Sequence, residues 1–298
     1  MSMTLPTSVN IVEVGARDGL QNETQVSLNA KVELINALSQ TGLRYIEAGA
    51  FVSAKRIPQM SDSDQVFARI QRHPDITYSA LTPNVRGFEA ALEANATEVA
   101  VFASASETFS QNNIHCSITE SLTRFEPVIA LAKQHNIRVR GYLSCVADCP
   151  YEGATPASQV ALIAKAMHDM GCYQVSLGDT IGTGTPLRIA AMIDAVSKDV
   201  PLSQLAVHFH DTYGQAIANI YQALTMGINT IDSSVAGLGG CPYAPGASGN
   251  VATEDVLYLC HGLGIHTGVE LNSVIKAAKV ICQTLNKTPQ SKVTQSSK

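Results

Sequence analysis

The chain has 298 residues, 45% of them apolar, and a formal net charge of −5. That length allows one large domain with a substantial core, and no compositional bias points to disorder or a collagen-like fibre. The acidic balance without a basic cluster speaks against nucleic acid as a partner, and no apolar run reaches the ~18 residues of a membrane span.

The opening MSMTLPTSVN has neither the apolar core of a secretory signal nor the Arg-rich pattern of a mitochondrial leader, so a cytoplasmic protein is expected. Seven cysteines without a C-x-x-C pair suit reduced thiols rather than a disulfide frame. Cys145 and Cys149 have no second pair to complete a metal site.

From the N-terminus, short β-branched runs alternate with longer helical patterns. The runs are NIVEV (10–14), LRYIEAGAF (43–51), ITYSAL (76–81), EVAVFASAS (98–106), IRVRGYLSCV (137–146), YQVSLGDT (173–180), LAVHFHD (205–211) and TIDSSVAGLGG (230–240). Between the first two lies SLNAKVELINALSQTG, where Leu28, Val32, Ile35 and Leu38 recur at helical spacing. Ser27 is its candidate N-cap and Gly42 its stop. VALIAKAMHDMG repeats the design and halts at Gly171. Pro127, inside SLTRFEPVIALAKQ, predicts a kink or a restart. The final segments TEDVLYLCHGLG and LNSVIKAAKVICQTL read as closing helices, and the polar residues 289–298 as a disordered tail.

About eight strand–helix units in roughly 250 residues predict an α/β protein, a (β/α)₈ TIM barrel with extra C-terminal helices, forming one catalytic domain over residues 1–288. A doubly wound open sheet competes. It would usually carry a glycine-rich phosphate loop after its first strand, and VEVGARDGL does not match one.

In such a barrel the chemistry sits at the C-terminal ends of the strands. His208 and His210, two residues apart, point the same way, while Val207 and Phe209 face the helices. Taken alone the pair fits core histidines as well as ligands. Other strand ends add Arg17 and Asp18 after the first strand, Glu47 on the second and Asp179 on the sixth. A carboxylate with two neutral imidazoles suits Mg²⁺, Mn²⁺ or Fe²⁺, with zinc the weaker alternative. No predicted strand contains a lysine, so a Schiff-base mechanism has no obvious nucleophile and carbon–carbon chemistry would need metal polarisation. The last strand runs into GLGGCPYAPGASGN, where Gly237, Gly239, Gly240, Gly246 and Gly249 suit a loop that closes over a ligand. Cys241, flanked by glycine and proline, suits proton transfer or nucleophilic attack. Asn250 offers an oxygen to a cation.

RDGLQNE, FVSAKRIPQMSD, NNIHCSITES, RGYLSCVADCPYEG, SLGDTIGTGTP, HFHDTYGQ and GLGGCPYAPGASGN together resemble the 3-hydroxy-3-methylglutaryl-CoA lyase family along nearly the whole chain. The resemblance implies cleavage of that acyl-CoA thioester to acetyl-CoA and acetoacetate, aided by Mg²⁺ or Mn²⁺. Asp18, His208, His210 and Asn250 are then the metal ligands. Arg17 meets oxyanion charge and Glu47 holds its guanidinium. Asp179 stands near the metal, Cys241 moves a proton, and Glu254 supports the loop. A homodimer is implied on the same ground. The alternatives are a lyase for a longer branched glutaryl-CoA, an acyl-CoA-condensing synthase of the same superfamily, and a barrel that only binds acyl-CoA.

Overall fold

Strands buried on both faces demand cover for every edge, and here the sheet has none. The computed structural model describes residues 5–240 and 249–297. Its described strands are β1 Asn10–Glu13, β2 Tyr45–Ala50, β3 Thr77–Leu81, β4 Glu98–Ser104, β5 Arg138–Ser144, β6 Asp148–Cys149, β7 Gly153–Ala154, β8 Gln174–Asp179, β9 Leu205–Phe209 and β10 Thr230–Ser233. Eight of them close into a parallel barrel in the order β1-β10-β9-β8-β5-β4-β3-β2. All eight expected runs therefore become barrel strands, and the fold is the (β/α)₈ barrel. β6 and β7 form an antiparallel hairpin after β5, which the sequence reading did not foresee.

Around the barrel lie α1 Leu28–Ser39, α2 Ser63–Arg69, α3 Val85–Glu93, α4 Glu107–Ile114, α5 Ile118–Gln134, α6 Ala157–Met170, α7 Pro186–Val196 and α8 Ala216–Thr225. α9 Thr253–Gly262, α10 Leu271–Thr284 and α11 Lys292–Ser296 follow. None of the described helices is long and apolar enough to cross a membrane.

α1 begins where Ser27 Oγ accepts from the Ala30 amide at 3.2 Å. Leu34, Ile35 and Leu38 are buried on its inner face, with Leu28 and Val32 half-buried beside them. Gly42 lies past its end at φ +94°, where a Cβ would come within 2.1 Å of the Gly268 carbonyl oxygen. Pro127 does not restart the chain, because α5 runs through it without a break. Both Pro127 and Thr123, whose carbonyl loses its helical partner, are exposed, so the freed oxygen is not shut away from solvent in an apolar core.

The disordered tail expected at 289–298 is also corrected for its described residues. Ser291 and Thr294 are buried. Asp255, in the first turn of α9, accepts from Ser291 Oγ at 2.7 Å and from the Lys292 and Val293 amides at 3.1 and 3.0 Å. Thr294 Oγ1 donates to Glu254 at 2.7 Å. Polar residues are ordered here by caps supplied from a distant helix, not by an apolar face.

Candidate active site

The strand β1 ends in a tight turn, Gly15–Gly19, in which the Val14 carbonyl accepts from the amides of Arg17, Asp18 and Gly19 at 3.2, 2.7 and 3.2 Å. The last of these bonds is the wide i→i+5 type that recurs at functional sites. Gly19 lets this turn rest on the loop after β10, since a Cβ there would stand 2.8 Å from both Leu238 Cβ and Ser234 Oγ.

The turn aims Arg17 and Asp18 into the barrel mouth. Arg17 donates from Nε to Glu47 Oε2 at 2.7 Å, and its Nη2 lies 2.6 Å from the same oxygen. Nη1 donates to Asp18 Oδ1 at 2.7 Å. Burial opposes the guanidinium charge, but Glu47 and Asp18 more than offset it and hold the Arg17 pKa above its ordinary value. Burial likewise pushes Glu47 up, against the pull of Arg17. For Asp18, the cations win: burial raises it, yet Arg17 and His208 bring it down to about 2. It is ionised at neutral pH.

From the end of β9, one strand beyond β1's neighbour β10, come the histidines. One ligand atom each from Asp18, His208 and His210 lies within 4.8 Å of the other two. His208 Nε2 faces Asp18 Oδ2 at 3.9 Å. Burial and the neighbouring His208 lower His210 to about 4, which leaves it neutral. Its Nδ1 is buried with no hydrogen-bond partner among the described residues. Asn250 bridges to the backbone of His210, and its side-chain amide donates to Asp18 Oδ2 at 2.8 Å. An ionised carboxylate, a neutral imidazole with an idle nitrogen and an adjacent amide fit the donor set of a hard or borderline divalent cation.

Arg17, Asp18, His208 and His210 line a cavity of about 270 Å³, and Leu81, Phe102 and Leu143 form an apolar part of its lining. A larger cleft of about 820 Å³, lined by Met60, Phe67, Arg72 and Glu93 among others, lies outside the mouth and contains none of this constellation.

The HMGL-like family model matches residues 8–281. The chain belongs to the HMGL-like family. It is 58% identical, over 96% of each chain, to a 3-hydroxy-3-isohexenylglutaryl-CoA/hydroxy-methylglutaryl-CoA lyase of Pseudomonas aeruginosa. It is 56% identical to a human mitochondrial hydroxymethylglutaryl-CoA lyase, covering 98% of this chain and 90% of that one. A crystal structure of hydroxymethylglutaryl-CoA lyase from Pseudomonas aeruginosa superposes with a TM-score of 0.96 at 57% identity, over 98% of this chain and 97% of that chain. All three relatives are named as lyases, so a condensing synthase is not favoured.

Within this HMGL-like barrel, Arg17, Asp18, Glu47, His208, His210 and Asn250 meet as one cluster. Asp179 does not join them. Along β8 and β9, Gly178 pairs with His208 and Asp179 with Phe209, so Asp179 takes the outward, helix-facing side. Its Oδ2 accepts from the Gly184 amide at 2.8 Å, tying down the loop before α7. Burial raises it to about 6 although that amide opposes the shift. The expectation of Asp179 beside a metal is thus corrected by strand alternation.

Glu254 stands under the mouth, accepting from the Ala236 amide at 2.9 Å and from Thr294. These contacts hold the segment that leads out of β10, and burial lifts the Glu254 pKa to about 7. Cys241 and Gly246 lie outside the described residues.

Sequence reasoning missed four lining or supporting groups. Tyr142 lines the cavity, with the Arg17 and Arg140 guanidinium carbons 5.5 and 5.1 Å from its ring centre. Its buried hydroxyl has no partner among the described residues. Asp232, Arg140 and Ser176 sit deeper and bond to one another. The alternation in RVRGY and TIDSS, which turns Arg140, Tyr142 and Asp232 inward, was the available signal.

Proposed function

We propose that this chain is a carbon–carbon lyase that splits 3-hydroxy-3-methylglutaryl-CoA into acetyl-CoA and acetoacetate, with Mg²⁺ or Mn²⁺ held by Asp18, His208, His210 and Asn250. The observation that carries the reading is the convergence of Asp18, His208 and His210 within 4.8 Å beside a paired arginine. The names of relatives at 56 and 58% identity support the reaction.

A dication bound there supplies positive charge that lowers the pKa of a nearby hydroxyl. The reaction removes the 3-hydroxyl proton, so that this carbon becomes the ketone of acetoacetate. The C2–C3 bond breaks and its electron pair passes to the thioester, giving an enolate that takes a proton to become acetyl-CoA. Arg17 meets the negative charge that grows on the thioester oxygen, and stabilising a charge that grows only during reaction is what accelerates it. Glu47 keeps the guanidinium plane fixed from behind. Of the two candidate bases, Asp179 faces away from the cavity, and His208 can take the hydroxyl proton at Nε2 only by releasing the cation there. Cys241, on the glycine-rich segment after β10, is assigned the final protonation.

With this reading go an acyl-CoA thioester as partner, a cytoplasmic homodimer and a place in leucine breakdown. The deciding experiment measures acetoacetate released from 3-hydroxy-3-methylglutaryl-CoA before and after EDTA treatment, with Mn²⁺ added back. Release that depends on the metal supports the reading. Undiminished release from chelated protein would remove the cation, and no release under any condition would remove the lyase.

A further inference from the structure

Behind His208 lies a fully enclosed group of charges that the reaction above does not use. Asp232 is the register partner of His208 on the neighbouring strand, so the two side chains stand together inside the barrel. Asp232 Oδ1 accepts from Arg140 Nη2 at 2.6 Å, and Oδ2 accepts from Arg140 Nη1 at 2.9 Å and from Ser176 Oγ at 2.7 Å. Arg140 has no exposed surface and donates from Nε to Gln174 at 3.0 Å. Its guanidinium carbon lies 5.8 Å from the Tyr45 ring centre and 5.1 Å from that of Tyr142. The carboxylate is therefore clamped in position and orientation. Its Oδ2 stands 3.4 Å from Nδ1 of His208, which is buried and makes no hydrogen bond among the described residues, so that carboxylate is the acceptor within reach of an Nδ1–H; the opposite nitrogen faces Asp18 at 3.9 Å.

We infer that Asp232 is a positioning residue that fixes His208 as the Nδ1–H tautomer, leaving the Nε2 lone pair turned toward Asp18, with Arg140 and Ser176 holding the carboxylate in place. The inference rests on the cation reading for its purpose, and on geometry alone for the tautomer. A neutral imidazole carries one N–H and one lone pair. The other tautomer sets the Nδ1 lone pair against carboxylate Oδ2 and turns an N–H toward Asp18, which closes Nε2 to any metal. Because Arg140 already balances the carboxylate, Asp232 offers the ring an acceptor without adding net charge. Carboxylate contacts of this kind orient metal-binding histidines, and their loss typically costs 10–100-fold in metal affinity.

The test uses metal-free full-length protein labelled with ¹⁵N-histidine. Long-range ¹H–¹⁵N correlation distinguishes the tautomers, and His208→Gln identifies the signals. Burial opposes the charge, but Asp232 and Asp18 raise the His208 pKa, so the spectra are taken at alkaline pH where the ring carries a single proton. Wild type is then expected to show protonated Nδ1 and bare Nε2 at His208; the reverse overturns the inference without any further variant. In Asp232→Asn, the amide oxygen turns to Arg140 and its NH₂ toward the ring, so the proton should move to Nε2. Mn²⁺ affinity, read from free Mn²⁺ by electron paramagnetic resonance, should fall about 10–100-fold. An unchanged tautomer with Mn²⁺ affinity within twofold of wild type would also overturn it. Should Asp232→Asn fail to fold, the double variant Arg140→Gln/Asp232→Asn removes both charges together and carries the same expectations. Wild type that shows the Nδ1–H form yet binds no Mn²⁺ would sink the cation reading and leave the tautomer assignment standing.

Discussion

Arg17→Lys is the substitution whose cost can be worked most directly from the geometry. The guanidinium makes three short contacts, two to Glu47 Oε2 at 2.7 and 2.6 Å and one to Asp18 Oδ1 at 2.7 Å, while lining the cavity. A lysine keeps the charge but concentrates it at one nitrogen, which cannot bridge both carboxylates and still face substrate in one plane. Losing one donor aimed at developing oxyanion charge costs about 2.7–4 kcal/mol, roughly 10²–10³ in turnover. Weakened pairing of Glu47, a fully buried carboxylate, adds to that through misplacement of the cationic centre. The expected result is a fall in kcat of several orders of magnitude. A coupled assay for acetoacetate measures it, with a melting curve to show that the protein is folded. Turnover within about threefold of wild type in folded protein would refute the assignment of Arg17.

His210→Ala should weaken Mn²⁺ binding by roughly tenfold or more, read from the metal dependence of turnover and from direct titration; a titration curve superposing on wild type would remove it from the ligand set. Cys241→Ser should keep KM near wild type while kcat falls by about 10²–10⁴, the usual contribution of a proton-transfer group. An unaffected kcat leaves the thiol without a chemical role. Glu254→Gln tests burial of charge under the mouth. Burial raises Glu254 from 4.5 to about 7, so its favourable contribution is complete below the unfolded value and fades as pH climbs through the folded one. Between about pH 5 and pH 8, wild type should lose up to about 3 kcal/mol that the glutamine variant retains. Denaturation midpoints at the two pH values check it, and parallel behaviour of the two proteins would end the claim.

The barrel was legible because its strands are short apolar runs separated by amphipathic helices, and that pattern survives without knowledge of contacts. That Arg17, Asp18, Glu47 and the two histidines would meet was legible for a narrower reason: one ionisable residue at a strand end is commonly a cap or turn residue, but several at the same end of one barrel converge on its mouth. The same logic misplaced Asp179, where position along the strand was weighed and the direction of the side chain was not. Arg140 and Asp232 escaped notice because they lie below the rim, in the interior of β5 and β10, where only alternation distinguishes an inward charge from an outward one. α11 was invisible for another reason. Its caps come from Asp255, 36 residues before Ser291, and no local pattern reports a partner at that distance.

β1 and β10 pair along their whole lengths, Asn10 with Thr230 through Glu13 with Ser233, and Gly19 rests on the turn that leaves β10. This seam joins the first and last strands of the barrel, and Asp18 and Asn250 lie on the segments that follow those two strands. A nascent chain that still lacks its last strand can thus hold six or seven finished strand–helix units and yet possess only fragments of a working centre. Turnover is in this sense an all-or-none reporter of ring closure, and a nick or slip at the seam silences the enzyme while most of its helices stay intact.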